Sequence, residues 1–240
     1  MPDRAALVTG ASSGIGYAIA RMLGEEGYGL TLAARRPEKL ADAAARLRDA
    51  GCELEEVAGN MADEADVQRI VAAHRDRWGR MDVLVNNAGV GIGAAVAEVV
   101  TKRVDMQLDV NLRAVILFYR ECADLLRAAG AEHRNALVVN TSSISGKSGQ
   151  AWLSVYSATK AAVIGWTQAI NKELNGDGVK SVALCPGFVD TPMTEFVREH
   201  VPQEQMIKPE DISEAVRFLL RTSPYCVVPE IVFQRPGEAL

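Results

Sequence analysis

Residues 9–16 read TGASSGIG, and they join a short apolar run, Ala5, Ala6, Leu7 and Val8, to an amphipathic run that follows. The pattern is that of a strand entering a helix through glycines. Gly10 makes the tight turn at the strand end, Gly14 lets backbone approach a bulky anion, and Gly16 leaves room for the helix to lie on the sheet. The N–H groups at the start of that helix, backed by its dipole, suit a pyrophosphate. A strand-to-helix corner also uses glycine for sterics alone, so this stretch by itself leaves cofactor binding and a plain corner both open.

The chain has 240 residues, 48% hydrophobic and 24% charged, enough for a sizeable core in one large or two small globular units. A net charge of -5 argues against general affinity for nucleic acid or an anionic membrane. Cys52, Cys122, Cys185 and Cys226 lie far apart without CxxC spacing and read as reduced thiols of an intracellular, cytoplasmic protein. The opening MPDRAALVTG enters a strand without a signal-peptide core, and no later run reaches membrane-spanning length. His74, His133 and His200 share no ligand spacing, so no metal site is expected.

Strand-like and helix-like segments alternate. Strands are expected at 5–8, 29–34, 53–58, 82–86, 136–140, 179–185 and 227–233, and helices at 17–26, 37–50, 63–77, 97–106, 108–129, 156–174 and 209–221. The polar stretch 131–135 reads as a small surface extension. Strands separated by helix-length connections require parallel pairing and right-handed crossovers, hence a doubly wound α/β sheet in a single domain, residues 1–240. Ligands bind such sheets beyond the C-terminal strand ends, where Thr9, Asn86, Ser142 and Pro186 fall.

Cofactor choice is read just past the second strand, where a carboxylate would bind the adenosine ribose hydroxyls of NAD. Leu32, Ala33, Ala34, Arg35 and Arg36 stand there, with no acid before Glu38. Small Ala34 leaves space and Arg35 offers a planar fork of donors to a 2′-phosphate, so NADP(H) is expected over NAD(H), which stays possible. Two solvated arginines are the other reading, although a cation at a helix start opposes the dipole. Residues 140–160 read NTSSISGKSGQAWLSVYSATK, with Tyr156 and Lys160 at i and i+4 on one helix face. Such pairs also occur without chemistry; the serine-rich strand end at Ser143 is what brings a hydroxyl toward the same cleft.

Together TGASSGIG, NNAG at 86–89, Asn111, Ser143, YSATK at 156–160 and PGFVDT at 186–191 resemble the short-chain dehydrogenase/reductase family in its single-domain form. The resemblance implies a Rossmann-type sheet of seven strands, order 3-2-1-4-5-6-7, and hydride transfer between a nicotinamide and a carbonyl or secondary alcohol. It implies a catalytic set of Asn111, Ser143, Tyr156 and Lys160. Tyr156 is then the acid in reduction and the base in oxidation. Lys160 and an oxidised nicotinamide would lower its pKa from the ~10 of a free phenol. Lys160 would also bond the nicotinamide ribose, Ser143 would donate to the substrate oxygen, and Asn111 would complete a water-linked proton path to Lys160.

Cofactor contacts are implied for Gly10, Ser12, Ser13, Gly14, Ile15 and Gly16, for Arg35, Asn60 and Met61, and for Asn87, Ala88 and Gly89. Tyr156, Lys160, Pro186, Gly187, Val189 and Thr191 complete that set. Ser145, Gln150, Trp152 and Phe188, with Val90, Gly91 and Ile92, are expected to face a small-molecule carbonyl or alcohol substrate that is mainly apolar. Residues 193–206 are expected as a lid or a solvated surface helix. A homodimer or homotetramer through the helices at 108–129 and 156–174 is implied too, with Val115, Ile116, Phe118, Val163, Ile164 and Trp166 as surplus apolar surface.

The chain departs from the family pattern twice. Asn60 in AGNMAD stands where Asp is usual, and the ending VVPEIVFQRPGEAL lacks the glycine-rich closing segment of acyl-carrier-protein reductases, which argues against that activity. The expectation is an NADP-preferring oxidoreductase. An NAD-dependent alcohol or 3-hydroxy acid dehydrogenase and a non-catalytic NADPH-binding regulator are the alternatives, and the Asn111, Ser143, Tyr156 and Lys160 set speaks against the regulator.

Overall fold

Apolar runs without alternation become strands covered on both faces. The computed structural model describes residues 2–237. Its strands are β1 (Ala5–Thr9), β2 (Gly29–Ala34), β3 (Leu54–Ala58), β4 (Val83–Asn86), β5 (Ala136–Thr141), β6 (Val179–Pro186) and β7 (Glu230–Phe233). They form one parallel sheet in the order β3-β2-β1-β4-β5-β6-β7. In the centre Leu7 lies beside Thr31 on one side and Leu84 on the other. Every residue of β1, β2, β4 and β6 is buried, as parallel strands between two helix layers must be.

The helices are α1 (Gly14–Glu25), α2 (Pro37–Asp49), α3 (Glu64–Trp78), α4 (Thr101–Leu108), α5 (Ala114–His133), α6 (Ser154–Leu174) and α7 (Pro209–Leu220). Alternate side chains of the strands feed two cores. Val8, Leu30 and Leu184 pack with Ile19, Leu40 and Ile212 of α1, α2 and α7, while Leu7, Leu84 and Val138 pack with Ile70, Phe118 and Val163 of α3, α5 and α6. Each fully buried leucine or phenylalanine contributes about 2 kcal/mol. Asp63 starts α3, its carboxylate accepting from Ala65 N at 2.9 Å, and Gly79 stops it in the left-handed region at φ +67°.

Four expectations are corrected. The helix expected at 97–106 is a 3₁₀ turn, Val96–Glu98, followed by α4, and its successor enters α5 through a π turn, Asp109–Arg113. The last strand is shorter, Glu230–Phe233, and the loop before it is held by Lys180 Nζ, which donates to Thr222 Oγ1, Ser223 O and Cys226 O at 3.0 to 3.2 Å. Residues 131–135 are no surface extension. Residues 131–133 complete α5, whose His133 Nε2 bonds Asp82 Oδ1 at 2.9 Å, and Arg134 ends it in the left-handed region at φ +56°. Val115, Phe118, Val163 and Ile164 are buried in the chain's own core, leaving Ile116 and Trp166 partly exposed.

The four thiols are free, Cys122 and Cys185 being buried. No helix among the described residues is long and apolar enough to cross a membrane.

Candidate active site

Gly10 and Gly14 carry the chain from β1 into α1 at φ +65° and +56°, which costs a residue bearing a Cβ about 1 kcal/mol or more. A Cβ at Gly10 would lie 2.8 Å from Asn87 Nδ2 and one at Gly14 2.8 Å from Thr191 Cγ2. The NNAG and PGFVDT segments therefore close directly on the glycine turn. Asn87 Nδ2 donates to the carbonyls of Thr9 and Gly10 at 3.2 and 3.4 Å, and Asn87 Oδ1 accepts from Thr141 Oγ1 at 3.2 Å. Its amide is thus spent on joining the turn to the ends of β4 and β5.

Ser13 precedes α1 in extended conformation without a side-chain capping bond, and the first helical turn holds no acid. The initial N–H groups are left for an outside acceptor, and with the cramped glycines they form a cradle that fits a pyrophosphate. Arg35 is exposed just beyond β2, and no ion pair among the described residues engages it. Asn60 differs from expectation: Asn60 Oδ1 accepts from Ala62 N at 3.2 Å and its own N–H donates to Asp66 Oδ2 at 2.8 Å. That local turn engages one lone pair of the amide oxygen implied as a cofactor contact, beside buried Met61.

On the other side of the turn, α6 crosses the end of β5. Lys160 is 4% exposed; its Nζ donates to Thr141 O at 2.7 Å and lies 5.6 Å from the centre of the Tyr156 ring. Burial pushes the Lys160 ammonium down to about 8. Burial also raises the Tyr156 phenol above its ordinary value, with a hydrogen bond to Ser143 pulling the other way. Burial thus outweighs any lowering of the phenol by Lys160, since desolvation penalises both charged forms together. Ser143 Oγ accepts from Ser145 N at 3.1 Å and donates to Pro186 O at 3.4 Å. Ser142 Oγ donates to Lys160 O at 2.8 Å, a structural bond. Gly89 and Gly91 floor the site: added Cβ atoms would stand 3.5 Å from Lys160 Nζ and 3.7 Å from the Tyr156 ring.

Asn111 sits in the π turn and is 1% exposed. Its Nδ2 donates to Val90 O at 2.9 Å and to Thr159 Oγ1 at 3.1 Å, while its Oδ1 accepts from Val90 N at 2.8 Å. The side chain expected to relay protons is thus occupied in fastening the 90–92 loop to α6. Ser145 is buried beside Ser143, Phe188 is half-buried beneath the Arg235 guanidinium, 5.7 Å from the ring centre, and Gln150 is exposed. Residues 193–206 form no continuous helix but two 3₁₀ turns, Pro192–Val197 and Gln203–Gln205. Both ends are tied to one strand end, where Val189 pairs with Ile207 and Asp190 accepts from Gln203 Nε2 at 2.9 Å and Lys208 Nζ at 3.2 Å.

Sequence reasoning missed Thr141 and Thr159, and a buried polar chain beneath them. Asn86 Nδ2 donates to Asn140 Oδ1 at 2.9 Å, and Asn140 Nδ2 donates to Thr167 Oγ1 at 2.9 Å and Tyr119 Oη at 3.2 Å. The signal was present in DVLVN and ALVVN, two apolar strands each ending in asparagine, which pair in register.

Fold and cleft define a class: an α/β oxidoreductase working at a C=O or CH–OH group beside a nicotinamide dinucleotide. The model of the short chain dehydrogenase family matches residues 4–202, and this chain belongs to that family. A Streptomyces coelicolor protein named for ketoacyl reduction is 37% identical over 235 residues, 90% of this chain and 89% of that one. A variant of the actinorhodin polyketide ketoreductase with NADPH superposes with a TM-score of 0.87 at 34% identity over 95% of each chain. The 3-ketoacyl-(acyl-carrier-protein) reductase of Brucella melitensis with NADH gives 0.87 at 29% identity over 96% of each. Similar proteins thus include reductases of the kind that the C-terminal segment argued against.

Proposed function

We propose that the whole chain is one catalytic unit, an NADPH-preferring carbonyl reductase in which Tyr156 is the proton donor to the substrate oxygen. The observation that carries this reading is that the Lys160 ammonium and the Tyr156 ring stand over Gly89 and Gly91, with the Ser143 hydroxyl hydrogen-bonded to the Tyr156 phenol. When bound, the cofactor supplies a hydride to the carbonyl carbon. Ser143 and the Tyr156 Oη–H together hold the carbonyl oxygen, and the phenolic proton passes to it as its charge grows. The raised pKa of Tyr156 keeps it protonated at neutral pH, as a donor in the reductive direction requires. Lys160, held by Thr141 O, supports the phenolate left behind and would bond the ribose hydroxyls.

Gly10, Gly14 and the open start of α1 would hold the pyrophosphate, and Arg35 the 2′-phosphate. Val189 and Thr191 would hold the carboxamide. Structural neighbours that carry NADPH and NADH support either cofactor, and the bare cation at Arg35 favours the phosphorylated one. The substrate is a small-molecule carbonyl compound facing Ser145, Gln150, Phe188 and Trp152. Self-association through α5 and α6 to a homodimer or homotetramer belongs to the same reading.

The test is Tyr156→Phe. NADPH binding should persist, while kcat on any carbonyl that the wild type reduces falls about a thousandfold. Turnover within a fewfold of wild type would remove the mechanism.

A further inference from the structure

Trp152 adopts φ +68°, a region that residues other than glycine rarely enter. Two contacts hold it there. Its carbonyl accepts from Ala94 N at 2.8 Å, and its indole lies on Gly93, where an added Cβ would collide with the six-membered ring. The residue is nevertheless 57% exposed, so this turn presents an indole instead of burying it. Backbone strain of this kind gathers at ligand-binding positions. Two residues earlier Gly91 gives the Tyr156 ring its seat, so alternate glycines of one loop carry both aromatic rings.

Beside the indole runs a shallow groove open to solvent, walled by Ile92, Val100 and Val104 with Val155 of α6. Its polar side chains are Gln107, Arg103 and Ser154. Gln107 is spent, accepting from Ile92 N at 3.2 Å and donating to Arg103 O at 3.3 Å. The Arg103 guanidinium enters no ion pair among the described residues. An exposed indole, an uncommitted guanidinium and an aliphatic wall favour a flat aromatic group over a chain rich in hydroxyls.

Resting on the reductase reading above, we propose that Trp152 is a specificity-determining residue. With α4 it forms an arm of the substrate cleft that takes a planar aromatic group attached to the reacting carbonyl.

The test gives the NADPH-loaded enzyme 2-acetonaphthone and 2-butanone. In Trp152→Ala the ratio of kcat/KM for the naphthyl ketone over butanone falls about tenfold, through KM. Val104→Trp, which fills the groove from α4 and leaves Trp152 in place, lowers the same ratio. Equal losses on both ketones, or an unchanged ratio, overturn the inference. Binding is read separately, because Trp78 is buried and Trp166 partly so: 2-acetonaphthone should saturably quench the wild-type fluorescence and spare Trp152→Ala. Quenching that survives in Trp152→Ala overturns the arm. Trp152-dependent quenching without turnover of either ketone upholds the arm and overturns the reductase reading.

Discussion

Arg35 is a cation that no ion pair among the described residues neutralises, standing where an acid would bind an unphosphorylated ribose. Its position beside the start of α2 opposes the helix dipole, and an anion bound there relieves that conflict. Arg35→Ala should therefore lower the ratio of kcat/KM for NADPH over NADH by about one to two orders of magnitude, on the scale of a lost charge-assisted bidentate contact. Steady-state kinetics with both cofactors measures it, and an unchanged ratio would show that another residue reads the phosphate. Tyr156 shows what a residue's identity leaves out. The i, i+4 spacing of Tyr156 and Lys160 was plain in YSATK, but the opposed effects of burial and Ser143 on the phenol depend on how deeply α6 sits over β5.

At the scale of elements, α3 is locked to the sheet by a histidine that must stay neutral. His74 Nδ1 and Thr31 Oγ1 lie 2.8 Å apart, and His74 Nε2 and Arg80 O are also at 2.8 Å. Burial pushes its pKa from 6.5 down to about 4. The unfolded chain then binds more protons below pH 6.5, so folding loses stability as pH falls from about 6.5 to about 4 and little more from this group below that. The loss amounts to about 3 kcal/mol. His74→Gln should cost stability at pH 8 yet flatten this acid slope, which urea denaturation at a series of pH values would read; an unaltered slope would place its origin elsewhere.

Most elements were legible, because α1, α2 and α3 carry clear apolar faces and marked ends such as Pro37, Asp63 and Gly79. The region from 96 to 113 was not. The π turn there exists so that Asn111 can reach Val90 and Thr159, and no local pattern of apolar spacing records such a reach.

For the molecule as a whole, Asp82 closes the end of the sheet opposite the cleft. Its 1% exposed carboxylate accepts from Ala5 N at 2.7 Å, from Arg80 Nη2 at 2.7 Å and from His133 Nε2 at 2.9 Å. One side chain thereby joins β1, β4 and α5. Burial raises its pKa, but the Arg80, Ala5 and His133 bonds outweigh that and hold it below the usual carboxylate range. Asp82→Ala strands those donors and should cost about 3 kcal/mol of folding stability while leaving NADPH affinity of the folded fraction unchanged. Denaturation and cofactor titration together check this, and a loss confined to cofactor affinity would contradict it.

Read alone, the sequence determined the parallel sheet, its strand order through the family resemblance, the glycine turn and the identities of Ser143, Tyr156 and Lys160. These follow from apolar runs, helix-length connections and short motifs, all of them local in the chain. Tertiary structure alone decided that Asn87 and Asn111 spend their amides on groups of neighbouring segments, and that Trp152 stands strained and open on Gly93. Each depends on which groups meet across distant segments, and hydrogen-bond satisfaction and burial are properties of the packed chain.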